Sequence, residues 1–110
     1  VCRAHDVLYI SDEVVSGFGR LGHFFASKDV FNVDADIITS AKGLTSGYQP
    51  LGAVLINERV LSQVSSEEFS DAVFSSGFTY SGHPVACAAA LKNIEIIFRH
   101  WFYLLDSLIK

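Results

Sequence analysis

Three short apolar runs in the chain predict β-strands. They lie at positions 7–11, 36–41 and 51–56, and each is bounded by glycine, proline or polar residues. The first run is apolar at four successive positions, which is typical of a strand buried in a parallel sheet and not of a half-exposed strand. We therefore expect these runs to pair in a central sheet that is at least partly parallel.

Helical patterns fall between and after the predicted strands. Helices are predicted at 23–31 and 58–64, and a long helix is predicted to begin at Pro84, because proline suits the first helical turn. The stretch 65–82 is polar, aromatic and marked by glycine, so we expect a loop there. Four apolar side chains at spacings of 4, 3 and 4 predict the buried stripe of the long helix: Cys87, Leu91, Ile94 and Phe98. Strands that alternate with helices predict an α/β fold with flanking helices.

Composition narrows the class of protein. Of the 110 residues, 50% are hydrophobic and 13% aromatic, which excludes a disordered chain. A net charge of −4 argues against nucleic acid or an anionic membrane as a partner. No apolar run approaches the roughly 18 residues of a spanning helix, and no secretion signal is present, so we expect a cytoplasmic protein. Two cysteines, Cys2 and Cys87, are too few for a disulfide framework.

The chain begins with Val1 and contains no methionine. We therefore expect that the natural start is missing and that the sequence is a piece of a larger protein. At about 100–200 residues per domain, it accounts for one domain at most.

Polar residues follow the first two predicted strands directly. The pair Asp12-Glu13 ends the first, and Lys42 follows the second. In open α/β sheets, ligands gather at the carboxyl ends of the strands. Taken singly, Asp12 can be interpreted equally well as a turn residue or as a functional residue. Lys42 can likewise be an exposed loop lysine, although lysine is rarely placed against a buried strand without a role.

Two alternatives for these residues rest on phosphate-binding motifs. Residues 17–22 match the dinucleotide pattern G-x-G-x-x-G, but five residues separate them from the strand, and Asp36 opens the next strand instead of closing it. The acidic strand end Asp12-Glu13 also suits an ATPase-like domain. That alternative requires a G-x-x-x-x-G-K-[ST] loop, which these residues lack but an upstream segment could supply.

A third hypothesis uses the lysine and the acid in one site. Pyridoxal phosphate is held as an imine on a lysine, with an acid beside its pyridine nitrogen. The carboxylate keeps that nitrogen protonated, and the released lysine carries a proton between carbons. Strand alternation places Asp12 and Val14 on one face, so that Val14 would pack on the ring.

Three segments, taken together, resemble the class III pyridoxal-phosphate aminotransferases, the ω-transaminase group. They are SDEVVSGFGRLG at 11–22, DIITSAKGLTSGYQPLGA at 36–53 and GFTYSGHP at 77–84. The resemblance extends over about residues 2–98, with the segments in the order and at the spacing of the family. It is far more specific than any one motif.

The resemblance implies a role for each matching residue. Lys42 matches the imine-forming lysine, Asp12 the acid at the pyridine nitrogen, and Val14 the hydrophobic residue on the ring. Thr79 matches a threonine that reaches the cofactor phosphate of the neighbouring subunit, and Phe78 a partner-subunit wall of the substrate pocket. A homodimer or larger oligomer is therefore implied, and no residue is assigned to a metal.

The implied fold is part of the large domain of the type I pyridoxal-phosphate transferases, with a mixed or parallel central sheet. Residues 1–110 would be a fragment of that cofactor-binding domain, without its N-terminal part and without the small C-terminal domain. The implied reaction moves an amino group from an amine or ω-amino acid to an α-keto acid such as pyruvate. Val15 replaces a glutamine of some members, which makes γ-aminobutyrate a less expected donor. Decarboxylase, mutase and racemase relatives share the motifs, and a non-catalytic truncated fragment is the second hypothesis.

Overall fold

The computed structural model describes residues 1–69 and 76–108 of the chain, with side chains described up to residue 68 and from 76 to 100. Its regular elements follow in chain order: a 3-10 helix (Cys2–His5), β1 (Ile10–Asp12), α1 (Ala26–Asp29), β2 (Ile37–Ser40), a 3-10 helix (Lys42–Thr45), β3 (Ala53–Ile56), α2 (Glu58–Val64), a 3-10 helix (Glu67–Phe69) and α3 (Pro84–Leu108). The second 3-10 helix is called the 42–45 turn below.

The three strands form one mixed sheet in the order β1-β2-β3. β1 runs parallel to β2, with Asp12 opposite Thr39, and β3 runs antiparallel to β2. The mixed sheet and its adjoining helices confirm the predicted α/β class. Since β1 and β2 are parallel, their carboxyl ends lie at one edge of the sheet, and this edge carries both Asp12 and the 42–45 turn.

The predicted helix 58–64 is confirmed with the same bounds. It begins there because the side chain of Asn57 accepts a hydrogen bond from the backbone N–H of Val60 at 3.1 Å, which caps the first turn. The predicted helix at 23–31 is reduced to the single turn α1. Phe24 and Phe25 stay outside α1 because their rings pack edge-to-face on Phe18, with centroids 5.0 and 5.7 Å away.

The first predicted strand is shorter and more exposed than expected. β1 starts only at Ile10, because the N–H of Tyr9 donates to the carboxylate of Asp36 at 2.9 Å. Ile10 is 56% exposed, which contradicts the prediction of a buried strand. β1 is an edge strand of the described sheet, and its outer side has no neighbouring strand there.

The long helix starts at Pro84 as predicted, but only part of the predicted stripe is in contact: Phe98 stacks on Phe24, with ring centroids 5.0 Å apart, and the buried positions near the 42–45 turn are others. Ala86 and Ala90 are buried, whereas Leu91 of the predicted stripe is 70% exposed. The small alanine side chains let the backbone of α3 approach the 42–45 turn closely, and Leu91 points away from that contact. Within the described ranges, no helix is both long and apolar enough to cross a membrane.

Candidate active site

Asp12 ends β1 with its side chain exposed at the strand end. One carboxylate oxygen accepts a hydrogen bond from the backbone N–H of Val14 at 3.1 Å, so Asp12 also shapes the turn that follows. Because β1 ends here, Val14 lies in that turn, and the argument from strand alternation for its direction was wrong. The second carboxylate oxygen of Asp12 has no partner among the described residues.

Lys42 follows β2 and opens the 42–45 turn. Its backbone is left-handed, with φ of 37°, a conformation that costs a non-glycine residue about 1–2 kcal/mol. The side chain is exposed, and its ammonium group has no hydrogen-bond or ion-pair partner among the described residues. An unpaired amine on a strained, well-anchored backbone is an arrangement typical of functional sites.

A cleft of about 370 Å³ connects Lys42 with the loop that follows β1. Its lining includes Lys42, Gly43, Val14, Phe18 and Arg20. The structure therefore brings Val14 to Lys42 from the turn after the strand. Arg20, which lies within the glycine-rich match at 17–22, adds a second cation to this cleft. No sequence signal separated it from an ordinary loop arginine.

The carboxylate of Glu13, unlike that of its neighbour Asp12, is buried and fully hydrogen-bonded. The Glu13 carboxylate is 1% exposed and accepts the backbone N–H groups of Ala26 and Ser27 at 2.6 and 2.7 Å and the Ser16 hydroxyl at 3.2 Å. Burial raises the pKa of this carboxyl, but the hydrogen bonds from Ala26, Ser27 and Ser16 outweigh it and lower the pKa below its ordinary value. Residues 14–25 form the loop between β1 and α1, called the 14–25 loop below. Glu13 thus joins the two ends of this loop and does not form an acidic pair with Asp12.

The 14–25 loop packs closely against the turn that carries Lys42. A Cβ atom added to Gly43 would lie 2.9 Å from the Cβ of Phe18. Phe18 is itself left-handed, with φ of 57°, and its N–H donates to the carbonyl of Phe24 at 2.7 Å. Only glycine at position 43 permits this contact, so the loop and the turn are matched in shape.

A buried carboxylate also connects the amino ends of β1 and β2 to α2. Asp36 is 1% exposed and accepts hydrogen bonds from the Tyr9 N–H at 2.9 Å, Asn57 at 3.0 Å and Arg59 at 3.3 Å. These donors, Tyr9 first, hold the pKa of Asp36 below its ordinary value. Arg59 also pairs with Asp6. This network lies at the strand ends opposite to Asp12 and helps to set the register of β1 against β2.

Thr79 and Phe78 lie in a different part of the molecule. Phe78, which is 69% exposed, and Tyr80 line a cleft of about 520 Å³ together with residues of the 49–52 segment. This cleft shares no lining residue with the cleft at Lys42. Within one chain, Lys42 and Val14 line one cleft at the sheet edge that carries Asp12, Phe78 lines the other, and Thr79 lines neither.

The chemistry of the first cleft fits pyridoxal phosphate. The amine of Lys42, which has no partner among the described residues, suits an aldehyde group, and Val14 offers an apolar surface. Asp12 does not line the cleft but ends the neighbouring strand, and its open oxygen suits a protonated ring nitrogen. The amine of Lys42 and the carboxylate of Asp12 come from two adjacent strand ends, where α/β sheets bind ligands.

Comparison with known proteins gives a consistent result. The family model of class-III aminotransferases matches residues 1–105. Over 96 residues, 87% of this chain, the chain is 51% identical to vanillin aminotransferase of Capsicum frutescens, of which it covers 21%. Over the same length it is 50% identical to gamma aminobutyrate transaminase 1, mitochondrial, of Solanum lycopersicum, covering 18% of that protein. The chain thus spans about a fifth of the length of these curated relatives.

Solved structures of transaminases share the fold. A thermostable (S)-enantioselective ω-transaminase from Thermomicrobium roseum superposes with a TM-score of 0.82 at 47% identity, over 90% of this chain and 21% of that one. An amine transaminase from an uncultivated Pseudomonas species, solved with pyridoxal phosphate bound, gives 0.80 at 46% identity, over 90% and 22%. The predicted fold class and family resemblance are thereby confirmed.

Proposed function

The chain belongs to the class-III aminotransferases, and from this premise we propose that the protein carrying it is a pyridoxal-phosphate-dependent transaminase. It would transfer an amino group from an amine or ω-amino acid to an α-keto acid such as pyruvate. The observation that carries the proposal is Lys42: its amine has no partner among the described residues, and it follows β2 at the sheet edge where Asp12 ends β1. The buried, fully bonded Glu13 removes the acidic pair on which the ATPase-like alternative depended.

Two side chains would carry the chemistry. When bound, pyridoxal phosphate supplies an electron sink for the bonds at the substrate carbon. Lys42 provides the primary amine that attaches the cofactor, and its Nζ, once released, would move a proton between carbons. Asp12 would keep the ring nitrogen protonated, because a carboxylate favours the charged form of a neighbouring base.

The remaining site residues would bind and orient. Val14 would pack on the cofactor ring from the loop side of the cleft. Thr79 would hydrogen-bond the cofactor phosphate of a neighbouring subunit, and Phe78 would form part of that subunit's substrate pocket. Support for this arrangement comes from the separation of the two clefts within one chain. It requires a homodimer or a larger oligomer.

The direct test is reduction of the complete cofactor-loaded protein with borohydride, followed by peptide mapping. We expect the pyridoxyl label on Lys42 alone. Lys28 and Lys92 serve as internal controls, because both are exposed and each is paired with a surface carboxylate. A label on either of them, or on a lysine elsewhere, with Lys42 unlabelled would refute the proposal.

The substrate is tested by a panel of amino donors with pyruvate as the acceptor. The relatives named for vanillin and for gamma aminobutyrate indicate that an aromatic amine and γ-aminobutyrate belong in the panel. Release of carbon dioxide, or conversion of the donor without loss of its amino group, would instead indicate a decarboxylase, mutase or racemase. The cytoplasmic location expected from the sequence stays a prediction.

A second candidate is that the 110 residues by themselves form a non-catalytic fragment. The observation that favours it is exposed apolar surface: Tyr48 is 82%, Val54 68% and Leu91 70% exposed. The 110-residue chain, purified alone, is expected to aggregate and to show no visible absorbance with pyridoxal phosphate. A soluble, yellow product would contradict this candidate.

A further inference from the structure

We propose that Asn93, on α3, is a positioning residue for Lys42. Its side chain holds the 42–45 turn and so sets where the amine of Lys42 leaves the backbone. The proposal rests on the function proposed above for Lys42, but its contacts are independent of that function. Nothing in the sequence motifs around Lys42 assigns a role to this asparagine, which lies 51 positions further along the chain.

The amide of Asn93 is bonded to the turn on both sides. Its Nδ2 donates to the backbone carbonyls of Gly43 at 2.7 Å and Leu44 at 3.1 Å. Its Oδ1 accepts the hydroxyl hydrogen of Ser46 at 2.5 Å. Both donor hydrogens of the amide have an acceptor, so the side chain is held in one orientation.

The backbone of the turn requires such support. Lys42 and Ser46, at either end of the turn, have left-handed φ angles of 37° and 51°. Conformations of this kind persist in non-glycine residues only where the surrounding structure enforces them. The sheet fixes one end of the turn through β2, and Asn93 fixes its middle through two carbonyl groups. Ala86 and Ala90, both buried, allow α3 to come close enough for this contact.

Position matters at Lys42 because a catalytic group has to be held within about 0.5 Å of its productive geometry. If the carbonyls of Gly43 and Leu44 lose their donor, the peptide groups of the turn become free to rotate. Rotation there moves the Cα–Cβ bond of Lys42 relative to Asp12 on the neighbouring strand. We therefore expect loss of Asn93 to weaken attachment of the cofactor while the protein remains folded.

The test compares variants of the complete protein after removal of its cofactor. Asn93→Asp keeps the shape of the side chain and the bond from Ser46, but replaces the donor by an oxygen that faces two carbonyl oxygens. The concentration of pyridoxal phosphate that gives half of the visible absorbance should rise about 10-fold or more, since each lost hydrogen bond is worth roughly two- to tenfold. Ser46→Ala should change it less than about threefold, and Lys92→Gln, on the exposed surface of α3, should not change it.

Additional readouts separate positioning from general destabilisation. Urea unfolding gives the fraction of each variant that is folded under assay conditions, and for Asn93→Asp this fraction should stay near that of the wild type. In the transaminase assay, kcat should fall with little change in KM for the amino donor. A cofactor affinity equal to that of the wild type, or one that falls only with the folded fraction, would overturn the proposal. If Asn93→Asp does not fold, Asn93→Ala is measured in its place, with a smaller loss of affinity expected.

Failure of the proposed function is recognised separately. If the wild type does not attach pyridoxal phosphate at Lys42, the Asn93 proposal is decided by amide hydrogen exchange. The N–H groups of Leu44 and Gly47 donate to the carbonyls of Ala41 and Lys42, at 2.8 and 3.2 Å, and so close the two ends of the turn. Their exchange should accelerate about tenfold in Asn93→Asp and stay unchanged in Lys92→Gln, because the two lost bonds correspond to a factor of that size. Unchanged exchange at both amides in Asn93→Asp would overturn the proposal.

Discussion

At the scale of single residues, the neighbouring carboxylates Asp12 and Glu13 show how contacts divide chemistry from structure. Asp12 is exposed and has one oxygen without a partner among the described residues, which leaves it available to a ligand. Glu13 is buried, and both of its oxygens accept hydrogen bonds from the first two residues of α1, which follows the 14–25 loop. The same chemical group is therefore open to a ligand at one position and anchors a loop at the next.

Replacement of Asp12 by asparagine separates its two roles. The amide oxygen of Asp12→Asn still accepts the N–H of Val14, so the free energy of unfolding should change by less than about 0.5 kcal/mol. The negative charge is lost, and kcat/KM should fall by about 10²–10³-fold, as for loss of one electrostatic group in an active site. Steady-state kinetics and urea unfolding check this. Near-normal activity in a folded Asp12→Asn protein would exclude Asp12 from the site.

Glu13 predicts how stability depends on pH. Its pKa is lowered on folding from the ordinary value of 4.5, so the unfolded chain takes up a proton at a higher pH than the folded chain. The contribution of Glu13 is therefore complete above about pH 4.5–5 and is lost as the pH falls through the lowered folded value. Urea unfolding between pH 3 and 7 should show a steeper decline for the wild type than for Glu13→Gln. Parallel curves for the two proteins would contradict the assignment.

At the scale of elements, the site depends on short segments held against each other by contacts distant in sequence. The 14–25 loop reaches Gly43 through Phe18, and α3 reaches the same turn through Asn93. The 42–45 turn is thus supported from two sides. The 42–45 turn has few backbone hydrogen bonds of its own, so its contacts with the 14–25 loop and with α3 keep Lys42 in its left-handed conformation.

A methyl group at Gly43 should disrupt this arrangement. Its Cβ would lie 2.9 Å from the Cβ of Phe18, too close for any real contact, so the loop or the turn has to shift. We expect Gly43→Ala to lower the free energy of unfolding by about 1–3 kcal/mol and to weaken cofactor binding. Gly52→Ala is the matched control, because its Cβ would meet the nearest atom at an ordinary 3.5 Å. Equal stability of the two variants in urea would show that the loop does not press on the turn.

At the scale of the whole molecule, the residues proposed for the site lie in two separate clefts. Lys42 and Val14 line one cleft, while Phe78 and the residues beside Thr79 line another. The proposed function requires a site assembled from two subunits, in which Thr79 of one chain would serve Lys42 of another.

Mixed oligomers test that arrangement. Thr79→Ala should weaken pyridoxal phosphate binding about 10–100-fold, because a hydrogen bond to a charged phosphate is lost. Lys42→Ala should abolish covalent attachment. In oligomers assembled from both variants, sites that combine Lys42 of one chain with Thr79 of the other should regain wild-type affinity, as measured by visible absorbance. Absence of any high-affinity sites in the mixture would place Thr79 within the same subunit as Lys42, or outside the site.

Local patterns in the sequence were enough to predict much of the fold and to propose the residues of the site. Apolar runs predicted the three strands, and the bounds of α2 and the start of α3 at Pro84 followed from local preferences. These features depend on neighbours within a few residues, so a sequence pattern contains them. The family motifs named Lys42 and Asp12 for the same reason, since each follows directly on a strand.

Only the tertiary structure decided the contacts that act across long separations. It showed that α3 packs through Ala86 and Ala90 and not through Leu91, and that Glu13 is a loop anchor. It also brought Asn93 to the carbonyls of the 42–45 turn. The physical reason is that a side-chain amide or carboxylate is bonded by whichever donors and acceptors the fold places beside it, and no local pattern specifies that choice.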